Sequence, residues 1–212
     1  MREPAPFHLG RGAAGPVQQS RVSCGSAALT VARMLVSPQF ARWIVNGAGP
    51  RDRPPDSRSE QDRFAEYERT VMHRTNGIGP AVGWTWNVPW PRALGTPPWG
   101  ARRELEYGAA RPAAAYAIRL VRFGSGDALR AAHRDLLRVV GEGLPALLYI
   151  GNAWLPRHVT LVLPGSGPDG DGRLDVYDPA TGSVTELDRE RFAARTLEIA
   201  GWDVPWITVQ PR

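Results

Sequence analysis

Lysine is absent from this chain of 212 residues, so all 26 basic side chains are arginines. Without lysine, no side-chain amine can form a Schiff base with a carbonyl substrate. The formal charge is +5, but the arginines are scattered among acidic residues and do not form a stripe. A basic stripe is the usual footprint of nucleic-acid binding. We therefore expect no nucleic-acid partner.

Cysteine occurs once, as Cys24. A single cysteine excludes an intramolecular disulfide, and with widely dispersed histidines it does not provide the ligand set of a structural zinc site. We expect no metal and no other cofactor.

Long apolar runs are also missing. No stretch approaches the roughly 18 apolar residues of a membrane helix, and the residues from Met1 to Pro6 lack the apolar core of a signal peptide. We expect no membrane association and a cytoplasmic location. Export by a route that needs no signal peptide stays open.

Apolar and aromatic residues are nevertheless plentiful, at 42% hydrophobic content with eight tryptophans, which is ample for a core. We predict an irregular N-terminal arm over 1–16 and a single domain over 17–212. The helical signals come early (about 17–114) and the strand signals late (about 115–210). Closely spaced late strands joined by hairpin-type turns indicate an antiparallel sheet, hence an α+β fold.

The individual elements follow from periodicity and capping signals. Helices are predicted over 24–36, 39–45 and 127–140, after the capping motif Ser57-Arg58-Ser59-Glu60, after Thr96, and after Asp188. Strands are predicted over 116–121, 146–150, 158–163, 174–178, 183–187 and 206–209.

Cys24 is the first candidate for chemistry. It follows a polar, turn-like segment and opens an alanine-rich apolar run that predicts a helix. A thiol at a helix N-terminus faces the positive end of the macrodipole, which favours the nucleophilic thiolate.

A cysteine nucleophile needs a base, and the base needs a partner on its other nitrogen. His158 heads an apolar strand, which would hold its imidazole at a strand mouth. His8 lies in the arm, whereas His73 and His133 have the polar helical surroundings of surface residues. Asp178 ends the next strand before a proline and is the preferred partner. Asp175 is the weaker choice, because strand alternation puts it on the other face.

Three further residues complete the predicted site. The side-chain amide of Gln18 and the backbone N–H of Cys24 would stabilise an oxyanion. Gly25 and Trp154 are predicted to contact substrate, since Trp154 lies in the loop that leads to His158. The alternative for Trp154 is a role as a buried filler of the core.

At this point the chain resembles the papain-like cysteine peptidases, and within them the peptidase C39-like group. The resemblance covers most of 17–210, leaves about 40–115 unaccounted for, and implies a helical part carrying the cysteine packed on an antiparallel sheet. It implies Cys24 as nucleophile, His158 as general base and acid, Asp178 as its orienting partner and Gln18 in the oxyanion hole. The segments that carry it are Gln18, Cys24-Gly25-Ser26-Ala27-Ala28-Leu29, His158-Val159-Thr160-Leu161-Val162 and Tyr177-Asp178-Pro179-Ala180-Thr181-Gly182.

The chain departs from this pattern in three places. Ser23 stands where many C39 members have aspartate before the cysteine, and Ala27-Ala28 follow where papain has a cysteine and an aromatic residue. The C39 domains that remove double-glycine leaders are joined to membrane transporters, and this chain shows no membrane segment. A peptide or protein substrate is therefore implied, but a leader peptide is not.

Two other interpretations stay open. A transglutaminase-like acyl transferase also has its cysteine, histidine and aspartate in this order. A non-catalytic binding module could instead use the tryptophan-rich segment from Trp84 to Trp99 as an interaction surface. The sequence carries no signal for the oligomeric state.

Overall fold

The computed structural model describes residues 7–49, 54–76, 90–91, 95–109, 114–165 and 172–212. The predictions for Trp84 and Trp86 fall outside these residues. Where the tryptophan-rich segment is described, Trp90 and Trp99 pack edge to face with ring centroids 5.1 Å apart.

The fold is α+β, as predicted, with an N-terminal helical part that carries the cysteine helix and packs on a C-terminal antiparallel sheet. The helices are α1 (Cys24–Val36), α2 (Pro38–Asn46), α3 (Glu60–Asn76), α4 (Pro98–Glu104) followed by a π-helical turn (Leu105–Ala109), α5 (Gly126–Gly141) and α6 (Arg189–Ala194). The strands are β1 (Tyr116–Leu120), β2 (Ala146–Gly151), β3 (Pro156–Val162), β4 (Leu174–Tyr177), β5 (Val184–Leu187) and β6 (Val204–Pro211).

The sheet has the strand order β1-β6-β2-β3-β4-β5, and every neighbouring pair is antiparallel. The C-terminal strand β6 lies between β1 and β2. Strand β3 is therefore an interior strand, hydrogen-bonded to β2 on one side and to β4 on the other. Its backbone is held on both edges, which suits a strand that has to present a side chain in one fixed position.

Each face of the sheet carries an apolar core. One core lies between the sheet and the helical part, and almost all of α1 is buried in it. The other core lies under α5 and α6. Helix α1 is consequently a central element, and its first residue is fixed in place by packing along the whole helix.

Local signals explain most of the helix boundaries. Ser37 ends α1 and caps α2 by accepting a hydrogen bond from the Phe40 N–H. One capping prediction is displaced: the box at α3 consists of Ser59 and Asp62, because the Asp62 N–H donates to the Ser59 hydroxyl oxygen at 3.1 Å. Similarly, Pro97 precedes α4 in the position expected for Thr96.

Arg63 of α3 is buried, and its partners among the described residues are all backbone carbonyls. Its guanidinium reaches Ile44 O at 2.8 Å, Val45 O at 2.9 Å and Asp56 O at 3.1 Å, and it also contacts Arg58 O. The carbonyls at 44 and 45 belong to the last turn of α2, which lacks intrahelical partners for them. One side chain thus joins the end of α2 to the segment before α3.

Replacing Arg63 by methionine should lower the free energy of unfolding by about 3 kcal/mol, because it removes the donor to the buried Ile44 carbonyl and to three partly buried carbonyls. Urea denaturation measures the change. Arg69→Ala is the matched control: Arg69 is exposed, bonds only Ala65 O in its own helix, and should cost less than about 0.5 kcal/mol. Equal losses in the two variants would contradict the assignment.

Candidate active site

Cys24 is the first residue of α1, and only 3% of its surface is exposed. The loop at Gly95 and Thr96 lies directly against it. A β-carbon at position 95 would be 3.6 Å from the Cys24 sulfur, and one at position 25 would collide with the Thr96 side chain. The loop itself is held from the sheet, because the Tyr149 hydroxyl of β2 donates to Thr96 O at 3.0 Å.

His158 lies near the start of β3, paired with Ile150 of β2. Asp178 follows β4 directly, at the point where the strand ends. The two side chains meet across these neighbouring strands, with His158 Nε2 2.6 Å from Asp178 Oδ1. Both are buried, at 7% and 3% exposure. Because Nε2 faces Asp178, the ring nitrogen left for Cys24 is Nδ1.

Asp178 is held on both carboxylate oxygens. The Ala180 N–H donates to Oδ1 at 2.9 Å and the Thr181 hydroxyl to Oδ2 at 3.0 Å. Burial by itself would raise the pKa of Asp178, but the His158 hydrogen bond and these two donors outweigh it, so that the pKa is lowered. The carboxylate is therefore ionised and fixed in orientation.

The imidazole responds to two acidic neighbours. Burial by itself would lower the pKa of His158, but the hydrogen bonds and charges of Asp178 and Cys24 raise it from 6.5 to about 9. At neutral pH this favours an imidazolium between a carboxylate and the sulfur of Cys24. Such an arrangement can activate a thiol and later donate a proton.

The segment before Cys24 is tied to the turn after Asp178. The Gln18 N–H donates to Pro179 O at 2.8 Å, and the Gly15 N–H donates to Gly182 O at 2.7 Å. These two bonds place Gln18 next to the histidine–aspartate pair. They depend on backbone groups, so the sequence carries no direct signal for them.

The two glutamines both turn back onto the chain. Gln18 Nε2 donates to Ser20 O at 2.8 Å, and Gln19 Nε2 donates to Val17 O at 3.2 Å from an exposed position. An amide nitrogen carries two hydrogens, so one hydrogen of Gln18 stays available. The role of Gln18 as an oxyanion donor remains a prediction.

The competing candidates are placed elsewhere. Asp175 forms an ion pair with Arg11 at 2.7 Å. His73 is exposed, as expected of a surface histidine. The expectation for His133 is wrong: it is 1% exposed, with Nε2 3.1 Å from Leu187 O, because its side of α5 packs on the sheet and on the start of α6.

The two residues predicted to contact substrate, Trp154 and Gly25, lie in different surroundings, and their contact with substrate is untested. Trp154 is 82% exposed at the tip of the β2–β3 hairpin, so the alternative of a core filler is wrong, and its contact with substrate stays a prediction. Gly25 packs against Thr96, which explains the glycine by close approach. Substrate contact at Gly25 is also untested.

Within the described ranges no group of three histidine, cysteine, aspartate or glutamate side chains is arranged to hold a metal ion. None of the helices in those ranges is long and apolar enough to cross a membrane.

No family model and no curated protein matches the chain. Among solved structures it is similar to the peptidase domain of Streptococcus ComA, a bi-functional ABC transporter involved in a quorum-sensing pathway. The identity is 14%, the match covers 94% of this chain and 98% of that one, and the TM-score is 0.41. A likeness this distant carries no argument about catalysis, which has to be argued from the side chains of this chain.

In an NMR titration, His158 should lose its proton with a pKa of about 9. The folded chain then holds this proton more tightly than the unfolded chain, whose ordinary value is 6.5. The resulting stabilisation is complete below 6.5 and is lost as the pH rises through about 9. Asp178→Asn removes the charge and should lower the pKa of His158, while the signals of His73 stay unchanged. A His158 pKa that is the same in both proteins would contradict the pairing.

A methyl group at position 95 should shield the Cys24 sulfur and slow its alkylation by iodoacetamide several-fold. Gly95→Ala also introduces strain, since Gly95 has a φ of 71°. Gly12→Ala is the matched control, with a φ of 75° and nothing within 4 Å of the added carbon. Equal alkylation rates in the two variants would contradict the proximity of Gly95 to the thiol.

Proposed function

We propose that this protein is a cysteine hydrolase that cleaves a peptide or related amide bond through Cys24, His158 and Asp178. One observation carries the proposal: the buried imidazole of His158 lies 2.6 Å from a fixed carboxylate, and its pKa is raised by that carboxylate and by the only cysteine of the chain. The three side chains are supplied by the start of α1, the start of β3 and the end of β4.

In the first step the Cys24 sulfur attacks the substrate carbonyl, forming a carbon–sulfur bond while the π electrons move to the oxygen. The tetrahedral species collapses, the bond to the leaving amine breaks, and the imidazolium of His158 gives that amine its proton. A thioacyl enzyme results. Water then attacks this thioester, His158 takes a proton from it, and the acid product leaves as the thiolate and imidazolium are restored.

The developing oxyanion needs preorganised donors. The backbone N–H of Cys24 is available because the first N–H groups of a helix have no partner within it. The free amide hydrogen of Gln18 is the proposed second donor. Removing it by Gln18→Ala should slow turnover by about 10²-fold, the usual cost of one such donor.

Burial strengthens each of these interactions. Charges separated from water interact more strongly than exposed ones, and Cys24, His158 and Asp178 are each less than one tenth exposed. Asp178 then fixes the ring orientation, and it stabilises the positive imidazole without itself taking up the proton.

Cys24→Ala should abolish hydrolysis and leave the fold intact, because alanine is an excellent helix former at the start of α1. The measurement is cleavage of a fluorogenic peptide library, together with mass spectrometry of the Cys24 adduct. His158→Ala should be equally inactive, whereas the matched variant His73→Ala, in an exposed histidine, should retain wild-type activity.

Three results would overturn the proposal in different ways. Hydrolysis by Cys24→Ala would exclude the mechanism. Faster product formation with added amines, giving amide products, would identify a transglutaminase-like acyl transferase. A wild-type chain that neither cleaves peptides nor forms an adduct would be a binding module.

A further inference from the structure

Glu68 of α3 is a buried acid that the proposed mechanism does not use. It is 1% exposed, and both of its carboxylate oxygens accept from the Gln19 N–H at 3.2 Å. In the described part of the chain no arginine forms an ion pair with Glu68. The charge of the neighbouring Arg69 lowers the pKa of Glu68 without a hydrogen bond between them. A carboxylate in such a position is costly to bury, so its hydrogen bonds must supply the compensation.

Ser23, the residue immediately before Cys24, also acts on Glu68, because its hydroxyl lowers the pKa of the carboxyl. The Ser23 hydroxyl itself donates to Ser20 O at 2.9 Å. Burial raises the pKa of Glu68, while the Ser23 hydroxyl and the Gln19 N–H oppose that rise.

Gln19 and Ser23 lie between the two residues proposed to stabilise the oxyanion, Gln18 and Cys24. Gln19 follows Gln18, and Ser23 precedes Cys24. Between them, Ser20 O accepts the Gln18 side chain at 2.8 Å, and the Ser20 N–H donates to the Ser23 hydroxyl at 3.1 Å. The segment from 18 to 23 is thus held at Gln18 by Pro179 O and at Gln19 by Glu68, and its remaining bonds are internal.

We propose that Glu68 is a positioning residue that holds the segment 18–23 in the shape required for oxyanion stabilisation. This inference rests on the proposed function of Cys24. Glu68 touches neither the sulfur nor the imidazole in any described contact, so its influence has to pass through Gln19 and Ser23.

Two reactions of the same thiol separate this role from a general structural one. Acylation of Cys24 by p-nitrophenyl acetate passes through a tetrahedral oxyanion, whereas alkylation by iodoacetamide displaces iodide and forms no oxyanion. Both products form at the same sulfur. The ratio of the two rates therefore reports on the oxyanion site, and it does not require the natural substrate.

Glu68→Ala should lower the acylation rate by about tenfold, less than the roughly 10²-fold cost of losing an oxyanion donor outright, and change alkylation less than about twofold. Glu68→Gln keeps an oxygen that can accept from the Gln19 N–H and should recover most of the ratio. Ser23→Ala should lower the ratio to a smaller extent. Glu104→Gln is the control, since Glu104 is a buried acid paired with Arg74, and it should leave the ratio unchanged.

A ratio in Glu68→Ala equal to that of the wild type would overturn the inference, as would a Glu68→Gln variant no better than Glu68→Ala. If Glu68→Ala does not fold, an unchanged ratio in Ser23→Ala overturns it. A wild-type chain that is acylated but cleaves no peptide would overturn the peptide-bond part of the proposed function and leave this test intact. No acylation of the wild type at Cys24 would overturn both.

Discussion

The turn that follows β4 is the point on which the candidate site depends. Asp178 begins this turn and accepts hydrogen bonds from Ala180 and Thr181. These bonds fix the orientation of the carboxylate that contacts His158. The same turn offers the carbonyls at 179 and 182 to the segment that leads to Cys24. A short stretch of backbone thus sets both the orientation of the imidazole and the path of the chain that leads to Cys24. Movement of this turn would disturb all three side chains together.

The sheet half could be predicted from the sequence in most respects, because its signals are local. Apolar runs separated by glycine and proline locate β2 to β5, and a proline after Asp178 marks where β4 ends. The insertion of β6 between β1 and β2 could not be predicted, since pairing between distant strands has no local signature. Likewise, nothing near His133 in the sequence shows that α6 covers it.

In the candidate site, too, some residues could be predicted from local sequence signals and others could not. Cys24 and His158 stand out because each opens a regular element, and Asp178 because it closes one. Gly95 and Glu68 carry no such mark: Gly95 lies in a loop, and Glu68 is one of several polar residues of α3. Their relation to the site depends on contacts between residues far apart in the chain, 71 positions from Cys24 to Gly95 (95 minus 24) and 49 from Gln19 to Glu68 (68 minus 19), which only the folded structure supplies. The positions of Gln18 and Gln19 likewise follow from backbone bonds and not from their side chains.

The two halves of the molecule are held by different forces, and α3 shows why. Apolar burial fixes the sheet and α1. The loops of the helical half offer mainly backbone N–H and C=O groups, which apolar contacts cannot satisfy. Helix α3 supplies the missing partners: Arg63 for the end of α2 and the segment before α3, and Glu68 for the segment before Cys24. A mostly polar helix can therefore be buried at selected positions and still stabilise the fold, because each buried polar group orders a loop. The arrangement of the residues around Cys24 then rests on hydrogen bonds from α3 as much as on the packing of α1.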